Sequence, residues 1–310
     1  MEQLITILGP TAVGKTDLTL SLAKRLNGIV ISGDAYQIYK GLDIGTAKPS
    51  IEELQAVPHR LIDIRMADES YSAADFQHEA RLEITAAHKD GHMPILSGGT
   101  GFYVQSLLEG YDFSVEGPNT QIRDRLDELW QTKGDEGLLA YAKVLAQKAN
   151  IELRFTDKHR LFRAIELMEQ GNYEALTNQT KVGLSYEGPV IGLRRNRNEL
   201  YERINLRVNI MVEQGLFEEV EQLLAAGVSP QCQAFKGIGY KEVVAYFNGE
   251  YTKAEAINAI QQNTRHFAKR QLTWYKRMPY ITWLDCDSNR TGDSIFEEAL
   301  EIIHKSGLMV

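Results

Sequence analysis

Short apolar runs alternate with helix-like segments over the first third of the chain. The run Leu4–Leu8 contains β-branched residues, as a buried strand does, and leucines at 18, 22 and 26 follow it at helical spacing. Further strands are predicted over 28–34, 59–64 and 93–97, and further helices over 72–89 and 102–108. This alternation predicts a doubly wound α/β fold with a parallel sheet, in which ligands bind at the carboxyl ends of the strands.

The pattern becomes helical near Asp112, and no convincing strand follows until residue 189. Helices are predicted over 121–130, 135–149, 157–170, 198–214, 217–224, 240–247 and 253–275, and strands over 189–193 and 281–284. We therefore predict a core in two parts, residues 1–112 and 189–310, with an α-helical insertion at 113–188 and a helical C-terminal part. Residues 35–49 are rich in glycine and polar groups, and they are predicted to form a loop with little role in packing.

The composition is that of an ordinary globular protein. Hydrophobic residues make up 43% of the 310 residues, which is enough to bury a core. No apolar run approaches the roughly 20 residues of a membrane span, and the first strand begins too early to leave room for a signal peptide. The two cysteines lie far apart, as free thiols in a reducing compartment do. We therefore expect a cytoplasmic protein that does not contact a membrane.

The turn after the first predicted strand carries the pattern G-x-x-x-x-G-K-[ST]. It consists of Gly9, Pro10, Thr11, Ala12, Val13, Gly14, Lys15 and Thr16. A strand before it and a helix after it are the context in which this pattern forms a phosphate-binding loop. Its backbone N–H groups form an anion-binding nest, to which the helix adds the positive end of its dipole. The sequence thus predicts a P-loop NTPase-like core that binds a phosphate or diphosphate, with Lys15 on the terminal oxygens and the Thr16 hydroxyl on Mg²⁺.

Two further loops are expected at the same edge of the sheet. Asp34 ends the second predicted strand and is a candidate general base or metal-associated carboxylate, unless it only caps a turn. The glycine-rich turn Gly98–Gly101 ends the strand over 93–97, and its convergence with the phosphate loop favours a ligand site. That strand does not end in the aspartate that binds the metal in NTP-hydrolysing enzymes, which argues against ordinary NTP hydrolysis.

A segment without acidic residues near the C-terminus contrasts with the net charge of −8. Residues 264–277 bring Arg265, Lys269 and Arg270 close together on a predicted helix, with aromatic residues between the charges. We interpret this helix as a contact to RNA phosphates, because a local basic face decides such binding more than the net charge does. Smaller basic clusters at 158–163 and 194–197 favour the same interpretation.

Together these motifs resemble those of the tRNA dimethylallyltransferases, enzymes that isopentenylate an adenosine next to the anticodon. The resemblance covers nearly the whole chain. Besides the phosphate loop it is carried, in the order of the family, by segments 34–37, 39–49, 57–59, 98–103, 239–242 and 264–274. Ala35 departs from the family, which often has serine at this position.

The resemblance implies a reaction and its catalytic residues. Dimethylallyl diphosphate would donate its prenyl group to the exocyclic N6 of a tRNA adenosine, with Mg²⁺ as cofactor. Asp34 would take the proton of the amine, while Lys15 and the rest of the phosphate loop would stabilise the departing diphosphate. Thr100 and Arg123 match family positions at the reaction centre. The adenosine would be flipped out of the anticodon loop to meet the donor.

The resemblance also implies a surface for the anticodon stem and loop, over which the helical insertion would close. Three groups of residues would contact the RNA. They are Asp34, Ala35, Tyr36 and Gln37; His159, Arg160, Leu161, Phe162 and Arg163; and Arg265, Lys269 and Arg270. We expect the protein to act as a monomer.

Three other functions account for part of these features. A small-molecule kinase explains the phosphate loop and Asp34 but neither the basic helix nor the insertion. A non-catalytic RNA-binding switch explains the basic segments but gives Asp34 and Thr100 no role. A prenyltransferase of free adenylate shares the core but needs no large RNA-binding insertion. Steeply salt-sensitive binding would distinguish a long RNA from a small substrate, because phosphate contacts release counterions.

Overall fold

The computed structural model describes residues 1–113, 119–153, 155–177 and 183–308. The chain divides into two units, Met1–Leu108 with Leu184–Val310 and Glu109–Gly183. The boundaries predicted for the insertion, 113 and 188, both lie a few residues after those of the smaller unit, Glu109 and Gly183. Residues 114–118, 154 and 178–182 of that predicted insertion lie outside the described residues.

A parallel β-sheet forms the centre of the larger unit. Its strands are β1 (Ile5–Leu8), β2 (Gly28–Ser32), β3 (His59–Arg60), β4 (Met93–Gly98), β5 (Val190–Arg194) and β6 (Ile281–Asp285). Within the described residues their order is β3-β2-β4-β1-β5-β6, so that β4 lies between β2 and β1. Every residue of β1 and β2 is buried, as expected of a sheet covered on both faces by helices. The predicted α/β fold is confirmed.

Helices connect the strands and form most of the remaining structure. They are α1 (Lys15–Arg25), α2 (Ile51–Ala56), α3 (Ala73–Lys89), α4 (Gly101–Leu108), α5 (Thr120–Lys148), α6 (Lys158–Glu169), α7 (Glu174–Thr177), α8 (Arg197–Glu213), α9 (Leu216–Ala225), α10 (Tyr240–Phe247), α11 (Lys253–Tyr275) and α12 (Gly292–Lys305). The sequence patterns do not predict α2, α7 or α12. The first has six residues and buries none of them, so it leaves no apolar pattern to detect.

The hydrophobic core of the larger unit lies on both faces of the sheet. Ile5 and Ile7 of β1 join one cluster, whereas Leu4 and Leu8 join the other, as the alternation of side chains along a strand requires. Helices α1, α8 and α12 contribute buried side chains to the first cluster, and α3, α9 and α10 contribute to the second. Both clusters reach the strands whose carboxyl ends carry the candidate site.

The loop between β2 and α2 packs into the core, contrary to the prediction for residues 35–49. Ile38, Tyr39 and Leu42 have 0% of their surface exposed. Lys48 is also buried, and its Nζ donates to the Tyr39 carbonyl at 2.9 Å and forms ion pairs with two aspartate carboxylates. An irregular segment buries side chains without a repeat, so hydrophobic periodicity does not reveal its role in packing.

The carboxylate of Glu219 on α9 holds the same loop in place. It accepts hydrogen bonds from the backbone N–H groups of Asp43, Ile44 and Gly45 at 2.9, 2.7 and 3.2 Å, and from the Tyr240 hydroxyl at 2.7 Å. A Cβ atom on Gly45 would lie 2.6 Å from the Tyr240 ring, so glycine is needed for this approach. The loop that follows Asp34 is therefore fixed to α9 and α10.

The smaller unit consists of α5, α6 and α7. Helix α5 is broken at Gly134 (φ 63°, ψ −164°), in agreement with the two segments predicted over 121–130 and 135–149. Side chains of α5 and α6, including Leu138 and Ile165, form its hydrophobic core. Asp157 caps α6 by accepting a hydrogen bond from the Arg160 N–H at 3.1 Å. Among the described residues of the whole chain, no helix combines the length and apolar character that crossing a bilayer requires.

Candidate active site

The phosphate loop joins β1 to α1 at the carboxyl edge of the sheet. Gly14 precedes α1 with a φ of 113°, and apart from its chain neighbours no atom of the described residues lies within 4 Å of the position a Cβ would take there. A Cβ on Gly9 would come within 2.9 Å of the Val13 side chain. Glycine is therefore favoured at position 14 by the positive φ and at position 9 by the close approach of a neighbouring side chain.

Cations of the protein bind the carbonyl groups of this loop. Lys15 Nζ donates to the carbonyls of Gly9 and Pro10, each at 2.8 Å. Arg203 on α8 donates from Nε to the Ala12 carbonyl at 2.9 Å. These bonds hold the backbone of the phosphate loop through its carbonyl groups.

Lys15 and Arg207 place positive charge beside the loop. The pKa of Lys15 is lowered to about 7, chiefly by burial and also by the charge of Arg207, while the charge of Asp34 opposes the shift. The pKa of Arg207 is itself lowered by burial and by Arg203. Within the described residues Arg207 has no hydrogen-bond or ion-pair partner, so a bound anion would stabilise both cations in their charged form.

Asp34 follows β2 and accepts hydrogen bonds at one carboxylate oxygen. Oδ1 binds the N–H groups of Tyr36 and Gln37 at 2.9 and 3.3 Å, which closes a turn. The pKa of Asp34 is raised, because burial outweighs the opposite effects of these two bonds and of Lys15. Asp34 therefore both caps the turn and has a pKa shifted in the direction that favours proton uptake by a general base.

Thr100 connects the end of β4 to the end of β2. Its Oγ1 accepts from the Ala35 N–H at 3.0 Å, and its own N–H donates to the Gly33 carbonyl at 3.2 Å. Gly98 permits this approach, because a Cβ there would lie 2.4 Å from the Gly33 oxygen. The turn Gly98–Gly101 and the loop bearing Asp34 are thus held together by short contacts.

One cavity of about 690 Å³ is bordered by all three loops. Lys15, Asp34 and Thr100 line it, and so do Arg207 from α8 and Arg270 from α11. This volume lies within the usual range for a small-molecule site. The loops that follow β1, β2 and β4 therefore converge on one place, as expected from their positions at the carboxyl edge.

The residues that follow Asp34 form hydrogen bonds and packing contacts within the protein. The Gln37 amide accepts from the Ser32 hydroxyl at 2.9 Å and donates to the carbonyls of Thr46 and Ala47 at 3.3 and 3.2 Å. The Tyr36 ring packs where Gly237 leaves room, and both Tyr36 and Gln37 line the cavity. Ala35 contributes its N–H to Thr100. These contacts stabilise the shape of the segment predicted to meet the RNA.

Helix α11 carries its exposed positive charges next to the cavity. Lys269 and Arg270 are exposed, and neither has an ion-pair partner among the described residues. The Arg270 guanidinium lies 5.7 Å from the centre of the Phe267 ring. Arg265, in contrast, donates to Asn205 Oδ1 at 2.6 Å. Two cations of this helix thus remain available to an anionic partner.

Arginines of the basic cluster over 194–197 form ion pairs within the protein. Arg194 pairs with Asp285 at 2.6 Å, and Arg195 pairs with Glu199 at 3.2 Å. The partner of Arg194 lies 91 positions away in the sequence, whereas the partner of Arg195 is four residues further along the chain. Two of the three arginines in this cluster are therefore paired within the protein, and its role in RNA binding stays a prediction.

The predicted site residues of the helical unit differ in exposure. Leu161 and Phe162 are buried in its core, whereas His159 and Arg160 are exposed at the start of α6. Arg123 and Arg163 both contact the carboxylate of Glu166. Within this unit His159 and Arg160 are therefore the most exposed of the predicted site residues, Arg123 and Arg163 are oriented by Glu166, and the two apolar residues serve packing.

The only protein group assigned to Mg²⁺ is the Thr16 hydroxyl, which lies on an exposed residue lining the cavity. Among residues 1–113, 119–153, 155–177 and 183–308, no group of three or more His, Cys, Asp or Glu side chains is placed to hold a metal ion. Mg²⁺ commonly keeps several waters and binds through substrate phosphates with few protein ligands. A hydroxyl beside a phosphate loop fits that mode of binding.

Two residues at this site are missing from the sequence-based prediction. Arg207 follows Arg203 by four residues on α8, beside the apolar stripe of that helix, so helical spacing could have indicated a basic face turned toward the phosphate loop. Gln271 lies within the motif 264–274 but carries no charge that would single it out. Both come to the cavity from helices far along the chain from the phosphate loop.

The chain is similar to known proteins over nearly its full length. The IPP transferase family profile matches residues 37–278. A tRNA dimethylallyltransferase of Streptococcus pneumoniae is 45% identical over 97% of this chain and 98% of its own, and one of Alkaliphilus metalliredigens is 42% identical over 97% and 96%. Among solved structures, the full-length tRNA isopentenylpyrophosphate transferase of Bacillus halodurans aligns with a TM-score of 0.75 at 39% identity, covering 99% of this chain and 97% of that one. A eukaryotic dimethylallyltransferase acting on tRNA aligns with a TM-score of 0.79 at 25% identity, covering 99% and 79%.

Proposed function

The chain belongs to the IPP transferase family, and on that premise we propose that it transfers a dimethylallyl group from dimethylallyl diphosphate to N6 of the adenosine 3′-adjacent to the anticodon in tRNA. The observation that carries this proposal is the joint position of Lys15, Asp34 and Arg270 around one cavity. It combines a diphosphate site, a candidate base and a helix with unpaired cations. The relatives that resemble the chain over almost all its length are named for this reaction.

Asp34 acts as the base in this reaction. The N6 lone pair attacks C1 of the donor, the C1–O bond breaks, and the diphosphate leaves with the bonding electrons. The N6 proton passes to Asp34, whose raised pKa brings its proton affinity closer to neutral pH. Thr100, fixed to the Ala35 N–H, lies beside the base at the end of β4.

The protein stabilises the charge that develops on the diphosphate. Lys15, Arg207 and the N–H groups at the start of α1 meet at the phosphate loop, so positive charge and oriented dipoles are present before the bond breaks. Arg203 maintains the loop through the Ala12 carbonyl. We assign Mg²⁺ to the Thr16 hydroxyl together with diphosphate oxygens, where it would neutralise part of the leaving-group charge.

The tRNA would be bound by both units of the chain. In the larger unit, Lys269 and Arg270 of α11 would contact the phosphate backbone. In the helical unit, Arg123, His159 and Arg160 present partly or fully exposed side chains. We further propose that the protein works in the cytoplasm as a monomer.

Mass spectrometry of nucleosides from unmodified tRNA, incubated with the protein, Mg²⁺ and dimethylallyl diphosphate, tests the function. We expect one isopentenyl group on an adenosine, and for Asp34→Ala a rate that falls far more than the tRNA affinity does. Equal losses of rate and tRNA affinity would remove Asp34 as the base. No modified adenosine, with ATP consumed against a small acceptor, would establish a kinase in place of the proposed function.

A further inference from the structure

A single side-chain amide bridges two loops of the active site. Gln271 of α11 accepts a hydrogen bond from the Thr11 N–H at Oε1 (3.0 Å) and donates from Nε2 to the Gly99 carbonyl (2.8 Å). Thr11 belongs to the phosphate loop and Gly99 to the turn that bears Thr100. The amide therefore connects the loop for the leaving group with the turn beside the base.

The turn is shaped to receive this amide. A Cβ on Gly99 would lie 2.6 Å from Gln271 Nε2, and Gly99 does not have a positive φ. Glycine is thus needed here for the contact with Gln271 and not for the backbone conformation. The Gly99 carbonyl also accepts from the Tyr275 hydroxyl at 2.8 Å, one helical turn after Gln271. Two donors on α11 consequently fix the orientation of one peptide.

That peptide joins Gly99 to Thr100, whose hydroxyl and N–H are bound to Ala35 and Gly33. We propose that Gln271 is a positioning residue, which sets the spacing between the phosphate loop and Thr100 and thereby aligns the donor diphosphate with the attacking amine. This inference rests on the proposed function. It assigns Gln271 no contact with the reacting atoms, because both ends of its amide are occupied by the protein.

Gln271 is separate from the RNA-facing part of α11. It is 4% exposed, whereas the adjacent Lys269 and Arg270 are exposed. Loss of the bridge should accordingly impair the chemical step and leave tRNA affinity nearly unchanged. A misplacement of about 1 Å between reacting groups is enough to lower a rate severely.

Gln271→Leu and Gly99→Ala each disrupt the contact between the Gln271 amide and Gly99, one from each side. We expect each variant to lower kcat roughly 10-fold, with the Kd for unmodified tRNA within about twofold of the parent. The methyl group of alanine at position 99 would collide with the amide of Gln271, and leucine at position 271 has no such amide. The two substitutions therefore disrupt the same contact, and the double variant should be no slower than the slower single variant. Gln222→Leu on the exposed face of α9 and Gly292→Ala, where a Cβ meets no atom, are the matched controls.

A kcat within twofold of the parent for Gln271→Leu would overturn the proposal, and so would a tRNA Kd that weakens as much as kcat. Multiplying losses in the double variant would also contradict it. If Gln271→Leu does not fold, Gly99→Ala decides on the same criteria. Calorimetry with magnesium pyrophosphate compares the parent and its variants without requiring catalysis. Weaker pyrophosphate binding by Gln271→Leu would support the bridge even if the parent transfers no prenyl group. Unchanged pyrophosphate binding together with an unchanged kcat would exclude the bridge.

Discussion

Arg123 and Glu166 form a two-point contact inside the helical unit. The Arg123 Nε and Nη2 donate to the two carboxylate oxygens at 2.7 and 3.0 Å, and the Glu166 side chain has 0% of its surface exposed. The same carboxylate accepts from the Asn119 N–H at 2.9 Å. A residue expected at the reaction centre is therefore oriented by a buried partner on another helix, since Arg123 is on α5 and Glu166 on α6.

Replacement of Glu166 should destabilise the helical unit. In Glu166→Gln the carboxylate that neutralises Arg123 and caps Asn119 is lost, and we expect the free energy of unfolding of this unit to fall by about 2 to 3 kcal/mol. Amide hydrogen exchange of α5 and α6 measures the change locally. Glu128→Gln, an exposed position on α5, is the control. Equal exchange in Glu166→Gln and the parent would show that the pair contributes nothing to stability.

The contribution of Glu166 should depend on pH. Burial alone would raise the pKa of Glu166, but the hydrogen bonds from Arg123 and Asn119 lower it below the ordinary value of 4.5. A carboxyl whose pKa is lower in the folded state stabilises the fold above its ordinary pKa. The difference between the parent and Glu166→Gln should thus be complete at pH 7 and should diminish as the pH falls below 4.5.

Binding of a diphosphate should take up a proton at Lys15. Its pKa is lowered to about 7 in the free protein, mainly by burial, and a bound anion raises the pKa by favouring the ammonium form. At pH 8 we therefore expect binding of magnesium pyrophosphate to take up about one proton more in the parent than in Lys15→Met. Calorimetry in buffers of different ionisation enthalpy measures this number. Lys24→Met, exposed on α1, should behave as the parent, and identical proton uptake in Lys15→Met would refute the assignment.

Arg207→Gln should weaken diphosphate binding, and it should also reduce the proton uptake that accompanies binding. It removes a cation that lines the cavity, and it removes a charge that lowers the pKa of Lys15. We expect the pyrophosphate Kd to rise roughly 10-fold, in line with the loss of one charge-assisted contact, while proton uptake at pH 8 decreases. Arg25→Gln, on the exposed end of α1, is the matched control. A Kd unchanged from the parent would mean that Arg207 faces the cavity without contacting the anion.

Local patterns were sufficient to predict the fold and the place of the site. The strands could be read from short apolar runs, and the rule that parallel strands present ligands at their carboxyl ends brings Lys15, Asp34 and Thr100 together. The spatial order β2-β4-β1 differs from the chain order, yet the conclusion holds because all three strands point the same way. Motifs therefore located the site before any contact was known.

Contacts between distant irregular segments were not predictable in this way. Gln271 binds a residue 260 positions earlier in the chain, and Glu219 binds a loop about which hydrophobic periodicity says nothing. The same reason applies to Arg194, whose ion pair with Asp285 is not visible in the local charge pattern. These side chains acquire their roles only when helices α8 to α11 pack against the sheet edge.

Lys269 and Arg270 should carry part of the salt dependence of tRNA binding. Both are exposed on α11 and have no ion-pair partner among the described residues, so RNA phosphates would displace counterions from them. In the double variant with alanine at both positions, we expect a weaker Kd for tRNA and a plot of log K against log salt flatter by about 1 to 2 units. Filter binding at several salt concentrations measures the slope. The adjacent exposed pair Lys24 and Arg25 on α1, replaced likewise by alanine, provides the control. A slope equal to that of the control would identify this part of α11 as a solvated face without RNA contact.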